Sequence, residues 1–273
     1  MNAFGPRLRA ALLAGRRANV RGYGIVAPRR GDGYEFAELR AYMEGDDPRR
    51  IDWAATARAG ALQTRVMLED ASLVFAVVVD GSASMHVGRT VSNYDAGCAA
   101  ARVWYGAAID DDRCARIGAH AHILPAVRGR AAAAVCADVR DPVGTFIGDA
   151  LQLALAALPR GARLLVVSDF YDLDTLYDAL RACADRFDLT ALLAADPWSE
   201  DLPLRGFVRL RDAESGRSAR LYVDARARAR YHTAVAAREQ AVLAALRDIG
   251  VRGVVFGATA DPQAAIAAAL GFA

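Results

Sequence analysis

Asp80, Ser82 and Ser84 follow the apolar run Leu73 to Val79, and their two-residue spacing at the end of an extended segment presents one carboxylate and two hydroxyls to a single point. Thr145 follows Gly144 just ahead of a helix expected near Gly148. Asp169 follows Ser168 at the end of Leu164 to Val167. A donor set of oxygens without His or Cys suits a hard cation, Mg²⁺ or Mn²⁺, better than Zn²⁺. Of these donors only Asp80 and Asp169 carry charge, so an open coordination position favours a carboxylate from a partner. A structural reading competes with this one, in which Asp80 and Ser82 cap the next turn and Asp169 caps the helix near Leu173.

Such residues need strand ends to hold them, because ligands of open α/β sheets sit at the carboxyl ends of strands near the switch in strand order. From residue 72 onward apolar runs alternate with helical stretches, the pattern of a doubly wound, mainly parallel α/β sheet. Strands are expected at Leu73 to Val79, Ala115 to His120, Arg163 to Ser168, Leu189 to Ala194 and Val251 to Phe256. Helices are expected at Tyr94 to Ile109, Gly129 to Val139, Gly148 to Leu158, Leu173 to Arg186, Ala225 to Ile249 and Pro262 to Leu270. Phe207 to Leu210 and Ala219 to Val223 flank Glu214-Ser215-Gly216, which predicts an added β-hairpin.

Residues 1–71 read differently. Residues 1–65 hold 12 Arg and 7 acids, net +5, against 22 Arg and 25 acids, net −3, in the remainder. Turn signals at Gly22-Tyr23-Gly24, Pro28, Gly31-Asp32-Gly33 and Gly45-Asp46-Asp47-Pro48 predict a basic appendage of short strands and one or two short helices. Two domains are therefore expected, 1–71 and 72–273.

Composition narrows the function. The 273 residues are 54% hydrophobic and 24% charged, which suits a globular core and excludes disorder. All 34 cations are arginine. Without lysine the chain can build neither a Walker A loop nor a Schiff base. A net charge of +2 is too small for non-specific nucleic-acid binding. Cys98, Cys114, Cys136 and Cys183 have no C-x-x-C spacing and read as buried hydrophobes of a reducing compartment. With no apolar run long enough for a signal peptide or a spanning helix, the expected location is cytoplasmic.

Asp80-x-Ser82-x-Ser84, Thr145 and Asp169 resemble the metal-ion-dependent adhesion site of von Willebrand factor A domains, over about residues 72–273. Upstream, Glu44-Gly45-Asp46-Asp47-Pro48-Arg49-Arg50-Ile51-Asp52-Trp53 with Ala57-Arg58 resembles the signature of the bacterial family catalogued as domain of unknown function 58, whose members carry such a domain. The resemblance implies a non-enzymatic, metal-dependent protein-interaction module. Its implied partner is a MoxR-type AAA+ ATPase acting in assembly or maturation of other proteins. It also implies that Ser82, Ser84 and Thr145 touch the metal and that Asp80 and Asp169 act partly through water. The chain departs from the A-domain pattern at Phe170, where glycine is common, and at Val143-Gly144, in place of a glycine pair.

The remaining residues divide the same way. Asp47 before Pro48 predicts the cap of a short helix through Arg49, Ile51, Asp52 and Trp53. Ile51 and Trp53 are expected to dock the appendage, with Arg49 or Arg58 pairing to Asp52. A weaker reading gives Arg49, Arg50 and Trp53 to a partner. The enzymatic alternative makes Asp80 a nucleophile in Mg²⁺-dependent phosphoryl transfer or hydrolysis. Haloacid dehalogenases, however, place an acid where this chain has Ser82, and there is no G-x-S-x-G elbow for a serine nucleophile. His120-x-His122 reads as a strand end, His232 as a boundary residue, and Arg226, Arg228 and Arg230 as a solvated helix start.

Overall fold

Short apolar runs bounded by charge become buried strands here, and the longer alanine-rich stretches between them become helices. The computed structural model describes residues 4–19, 30–43, 48–68, 72–199 and 201–272. In chain order the elements are α1 (Phe4–Asn19), β1 (Arg30–Ala41), α2 (Trp53–Ala59), β2 (Gln63–Leu68), β3 (Val74–Val79), α3 (Asn93–Tyr105), β4 (Arg113–Ile117) and β5 (His122–Ile123). There follow α4 (Gly129–Ala137), α5 (Ile147–Ala157), β6 (Arg163–Ser168), α6 (Leu173–Arg186), β7 (Asp188–Ala194), β8 (Gly206–Arg211), β9 (Ser218–Val223), α7 (Ala225–Asp248), β10 (Arg252–Phe256) and α8 (Pro262–Leu270). They fall into two compact units, Met1–Ala18 with Leu73–Ala273, and Asn19–Ser72.

The larger unit is a mixed α/β body around a six-stranded sheet of order β10-β7-β6-β3-β4-β5. β10, β7, β6, β3 and β4 run parallel, and β5 is antiparallel to β4. Alternate residues feed opposite faces, as the pleat requires. Phe75, Val77, Val79, Leu165, Val167 and Leu192 join one apolar layer with residues of α1, α3, α4 and α8. Ala76, Val78, Leu164, Val166, Ala191 and Leu193 join the other with residues of α5, α6 and α7. Burying each large aliphatic side chain contributes about 1.5–3 kcal/mol, so these central strands dominate the stability of the unit. The chain leaves β3 toward β4 on one side and later returns to β6 on the other, which puts the switch in strand order between β3 and β6.

Three expectations change. The first is the division of the chain, because α1 belongs to the sheet unit and not to the appendage. Leu8 and Leu12, one helical turn apart, are fully buried in the first layer, and Arg9 of α1 forms a buried ion pair with Asp112. The second is the strand expected at Ala115 to His120. It ends at Ile117, and the chain turns back to pair Ile117 with His122, which leaves His120 and His122 exposed at the sheet edge. The third is the turn at Gly31-Asp32-Gly33, which lies within β1 where the register slips between Arg30 and Glu35.

The smaller unit pairs β1 with β2 antiparallel and carries α2 between them. The cap of α2 is Asp52, whose Oδ1 accepts the Ala55 amide at 2.9 Å, and Pro48–Arg50 is a separate 3₁₀ turn. Glu44 to Asp47, and with them the expected Asp47 cap, lie outside the described residues, as do the turn signals at Gly22 to Gly24 and Pro28. Trp53 is 68% exposed. Arg49 is exposed. The side chain of Arg50 lies outside the description.

Candidate metal centre

Asp80 leaves β3 next to the end of β6, its amide bonded to the Val167 carbonyl at 2.9 Å. The residue is only 3% exposed. Oδ1 accepts the Ser82 amide at 2.9 Å and Oδ2 accepts the Ser168 hydroxyl at 2.6 Å. The Ser82 and Ser84 hydroxyls stand 3.1 Å apart, so the two-residue spacing does bring them together. Ser82 heads a 3₁₀ turn at Ala83–His86 without a side-chain cap.

Thr145 reaches the same place from the loop ahead of α5. Its amide and that of Gly144 both bond to the Gly81 carbonyl, at 3.2 and 2.7 Å, and its hydroxyl donates to the Pro142 carbonyl at 3.1 Å. Gly144 has φ +86°, a conformation that favours glycine, as its place before Thr145 suggests. Gly81 is needed for closeness, since a Cβ there would come within 2.1 Å of Thr145 Oγ1 and 2.9 Å of the Pro142 carbonyl oxygen. The loop is anchored by Asp141, held by Arg116 at 2.5 Å in a buried pair and by the Tyr94 hydroxyl. Burial pushes that phenol up to about 12.

Asp169 follows β6, and its Oδ1 accepts the Tyr171 amide at 3.0 Å. The residue capping α6 is Asp172, not Asp169, and it makes no side-chain cap bond. The capping reading therefore fails for Ser82 and Asp169 and keeps only Asp80. Between them Phe170 adopts φ +48°, the left-handed region that a bulky residue rarely occupies, and its ring is fully buried. Arg238 of α7 donates to the Asp169 carbonyl and lies 5.3 Å over the Tyr171 ring, which fixes this loop from outside.

Asp80, Ser82, Ser84, Thr145 and Asp169 line one cleft of about 370 Å³, together with Phe146, Tyr171 and Glu214. Among the described residues no arginine pairs with Asp80. Burial, with the nearby Asp169 charge, pushes its carboxyl up to about 6 against the hydrogen bonds from Ser168 and Ser82. No three His, Cys, Asp or Glu side chains form a metal-ligating group among the described residues, so a cation here would depend on hydroxyls as much as on carboxylates. An all-oxygen set of this kind fits a hard cation and offers nothing soft. Sequence reasoning missed Ser168 as a partner of Asp80, Gly81 as the close-contact residue, Arg238 as a brace, and Glu214. The first two adjoin named residues and were open to discovery. The last two come from distant elements and left no local signal.

Oxygen-bearing side chains thus converge at the switch point of a mixed α/β body built on a mainly parallel six-stranded sheet. The chain belongs to the family described as Protein of unknown function DUF58, whose profile matches residues 38–241. Uncharacterized proteins of Mycobacterium bovis and Mycobacterium tuberculosis are 33% identical to it over 234 residues, 81% of this chain and 73% of theirs. Among solved structures, a conserved hypothetical protein BatB from Bacteroides thetaiotaomicron aligns with 18% identity and a TM-score of 0.43, covering 73% of this chain and 98% of that one. An aerotolerance-related membrane protein from Bacteroides fragilis aligns with 13% identity and a TM-score of 0.43, covering 72% and 96%.

Proposed function

We propose that the chain is a non-enzymatic protein-interaction module whose binding depends on Mg²⁺ or Mn²⁺ at the β3–β6 switch point, of the von Willebrand factor A type. The support is Asp80, a buried carboxylate with no arginine partner among the described residues, set beside the hydroxyls of Ser82, Ser84 and Thr145 and the carboxylate of Asp169 in one cleft. Ser82, Ser84 and Thr145 would hold the metal directly, with Asp80 and Asp169 acting partly through water. Bound there, the cation supplies a Lewis-acidic position for an oxygen ligand. A partner's Asp or Glu suits that position, and the family resemblance makes a MoxR-type AAA+ ATPase the first partner to try. The left-handed Phe170 supports the A-domain comparison, since it takes the backbone that glycine usually supplies there.

Phosphoryl transfer through Asp80 is the weaker reading. Both carboxylate oxygens accept protein hydrogen bonds, which lowers their nucleophilicity, and the side chain is buried, which limits a substrate's approach. Calorimetry with Mg²⁺ and Mn²⁺ tests the proposal. One site is expected in the native chain, with binding abolished in Asp80→Ala and Ser82→Ala while the circular dichroism stays native. Partner binding should then fall in EDTA and in Thr145→Ala, and recover when Mg²⁺ is restored. Equal metal binding in native protein and both variants would rule the site out. Metal-dependent turnover lost in Asp80→Asn would put the enzymatic reading first.

A further inference from the structure

The β8–β9 hairpin brings a further carboxylate to the cleft from far along the chain, beside those of Asp80, Asp169 and Asp172. Glu214 Oε1 accepts the backbone amide of Ser84 at 2.8 Å, and Glu214 lines the cleft with Asp80, Ser82, Ser84, Thr145 and Asp169. Its turn is built to present it. The Asp212 carboxylate accepts the amides of Glu214 and Ser215, each at 3.3 Å, and the Ser215 hydroxyl. The Gly216 amide bonds to the Asp212 carbonyl at 3.0 Å. These contacts order the tip without help from the sheet.

The ribbon behind the tip is thinly supported. Along β8 and β9 nearly every residue is exposed until Val223, and the edge-to-face pair Phe207 and Tyr222, 5.0 Å apart, is 88% and 61% exposed. A two-stranded ribbon alone is marginally stable, so its position depends on its base, where Asp224 caps α7, and on the Glu214 contact at its tip. A segment held in this way can leave without disturbing either apolar layer.

We propose that Glu214 is the chain's own competitor for the carboxylate position over the metal, so that an acidic side chain of a partner binds only by displacing the hairpin tip. The inference rests on the metal-dependent reading above. It follows from charge and tethering. A carboxylate carried on the same chain acts at an effective concentration on the order of mM or higher, so a free carboxylate must exceed that to take its place. It also gives the hairpin a role in selectivity. Weak single carboxylates are excluded, while a partner that also grips the exposed ribbon is admitted.

The test uses the full chain loaded with Mn²⁺, with acetate as the carboxylate probe and water-proton relaxation as the readout. In Glu214→Ala and Glu214→Gln, acetate should displace Mn²⁺-bound water at about tenfold lower concentration than in the native protein. Both substitutions are at an exposed tip, and Glu214→Gln keeps the side-chain shape while removing the charge. If Mn²⁺ binds in an Asp80-dependent way but acetate titrates all three proteins alike, Glu214 is only a turn contact and this inference fails while the metal site stands. If native protein binds no Mn²⁺, or Asp80→Ala binds it equally, the metal reading fails and takes this inference with it.

Discussion

Asp80 is a carboxylate whose ionisation works against the metal-free fold. Burial raises it to about 6 from an ordinary 3.8, so the folded chain holds this proton more tightly than the unfolded chain. Its contribution to stability is full at low pH and is lost as pH rises through the folded value, a cost of roughly 3 kcal/mol above it. Asp80→Asn removes that ionisation. In EDTA the variant should be more stable than native protein at pH 8, by roughly 2–3 kcal/mol, with the gap closing toward pH 4. Mg²⁺ should stabilise the native chain at pH 8 and leave the variant unchanged. Urea denaturation at several pH values measures both effects. A variant less stable than native protein at pH 8 would mean that the hydrogen bonds from Ser82 and Ser168 outweigh desolvation. The oxygen donors were legible in the sequence because strand ends and two-residue spacing are local features. In the sequence Ser168 is only the neighbour of Asp169, yet its hydroxyl turns to Asp80 because β3 and β6 are adjacent, a fact of strand order. Glu214 was legible only as part of a turn.

Elements were legible where burial and charge agreed. β6, α6 and α8 begin and end where the sequence placed them, since each is an apolar or amphipathic run with polar or turn residues at its ends. α1 was hidden by its own arginines. Counting charge over the first 65 residues assigns it to a basic appendage, while the spacing of Leu8 and Leu12 puts both on the face that enters the sheet unit. Its docking also uses Arg9, paired with a fully buried Asp112 that accepts the Leu73 and Ile109 amides, each at 2.8 Å. Leu12→Ala should therefore cost about 2–5 kcal/mol. Arg9→Ala should cost about 3–5 kcal/mol, because it leaves a buried carboxylate without its cation. Equilibrium urea unfolding checks both. Losses below about 0.5 kcal/mol in both variants, the range of ordinary surface substitutions, would return α1 to the appendage.

The six-stranded sheet lies between two apolar layers, and the free cysteines are divided between those layers. Cys98, Cys114 and Cys136 lie in the layer that includes α1, α3, α4 and α8, and Cys183 lies in the layer that includes α5, α6 and α7. All are buried, and burial pushes the thiols of Cys114 and Cys183 up to about 12 and that of Cys136 up to about 11. A thiol so poorly ionised, and shielded as well, should not react with a disulfide reagent at neutral pH unless the structure opens. The shared strands decide how it opens. β3, β6 and β7 send alternate residues into both layers, so losing either layer removes the burial of half of the side chains that hold these shared strands. Labelling with a thiol reagent across a urea series should therefore show no reaction in the native baseline and a common midpoint for Cys183 and the other cysteines, matching the loss of circular dichroism. If Cys183 became reactive at distinctly lower urea, the α5–α7 layer would be opening by itself, and Arg238, which braces the Asp169 loop from α7, would be released before the sheet unfolds. Mg²⁺ held in the cleft that Ile147 and Leu176 of this layer line should then protect Cys183 more than the other thiols.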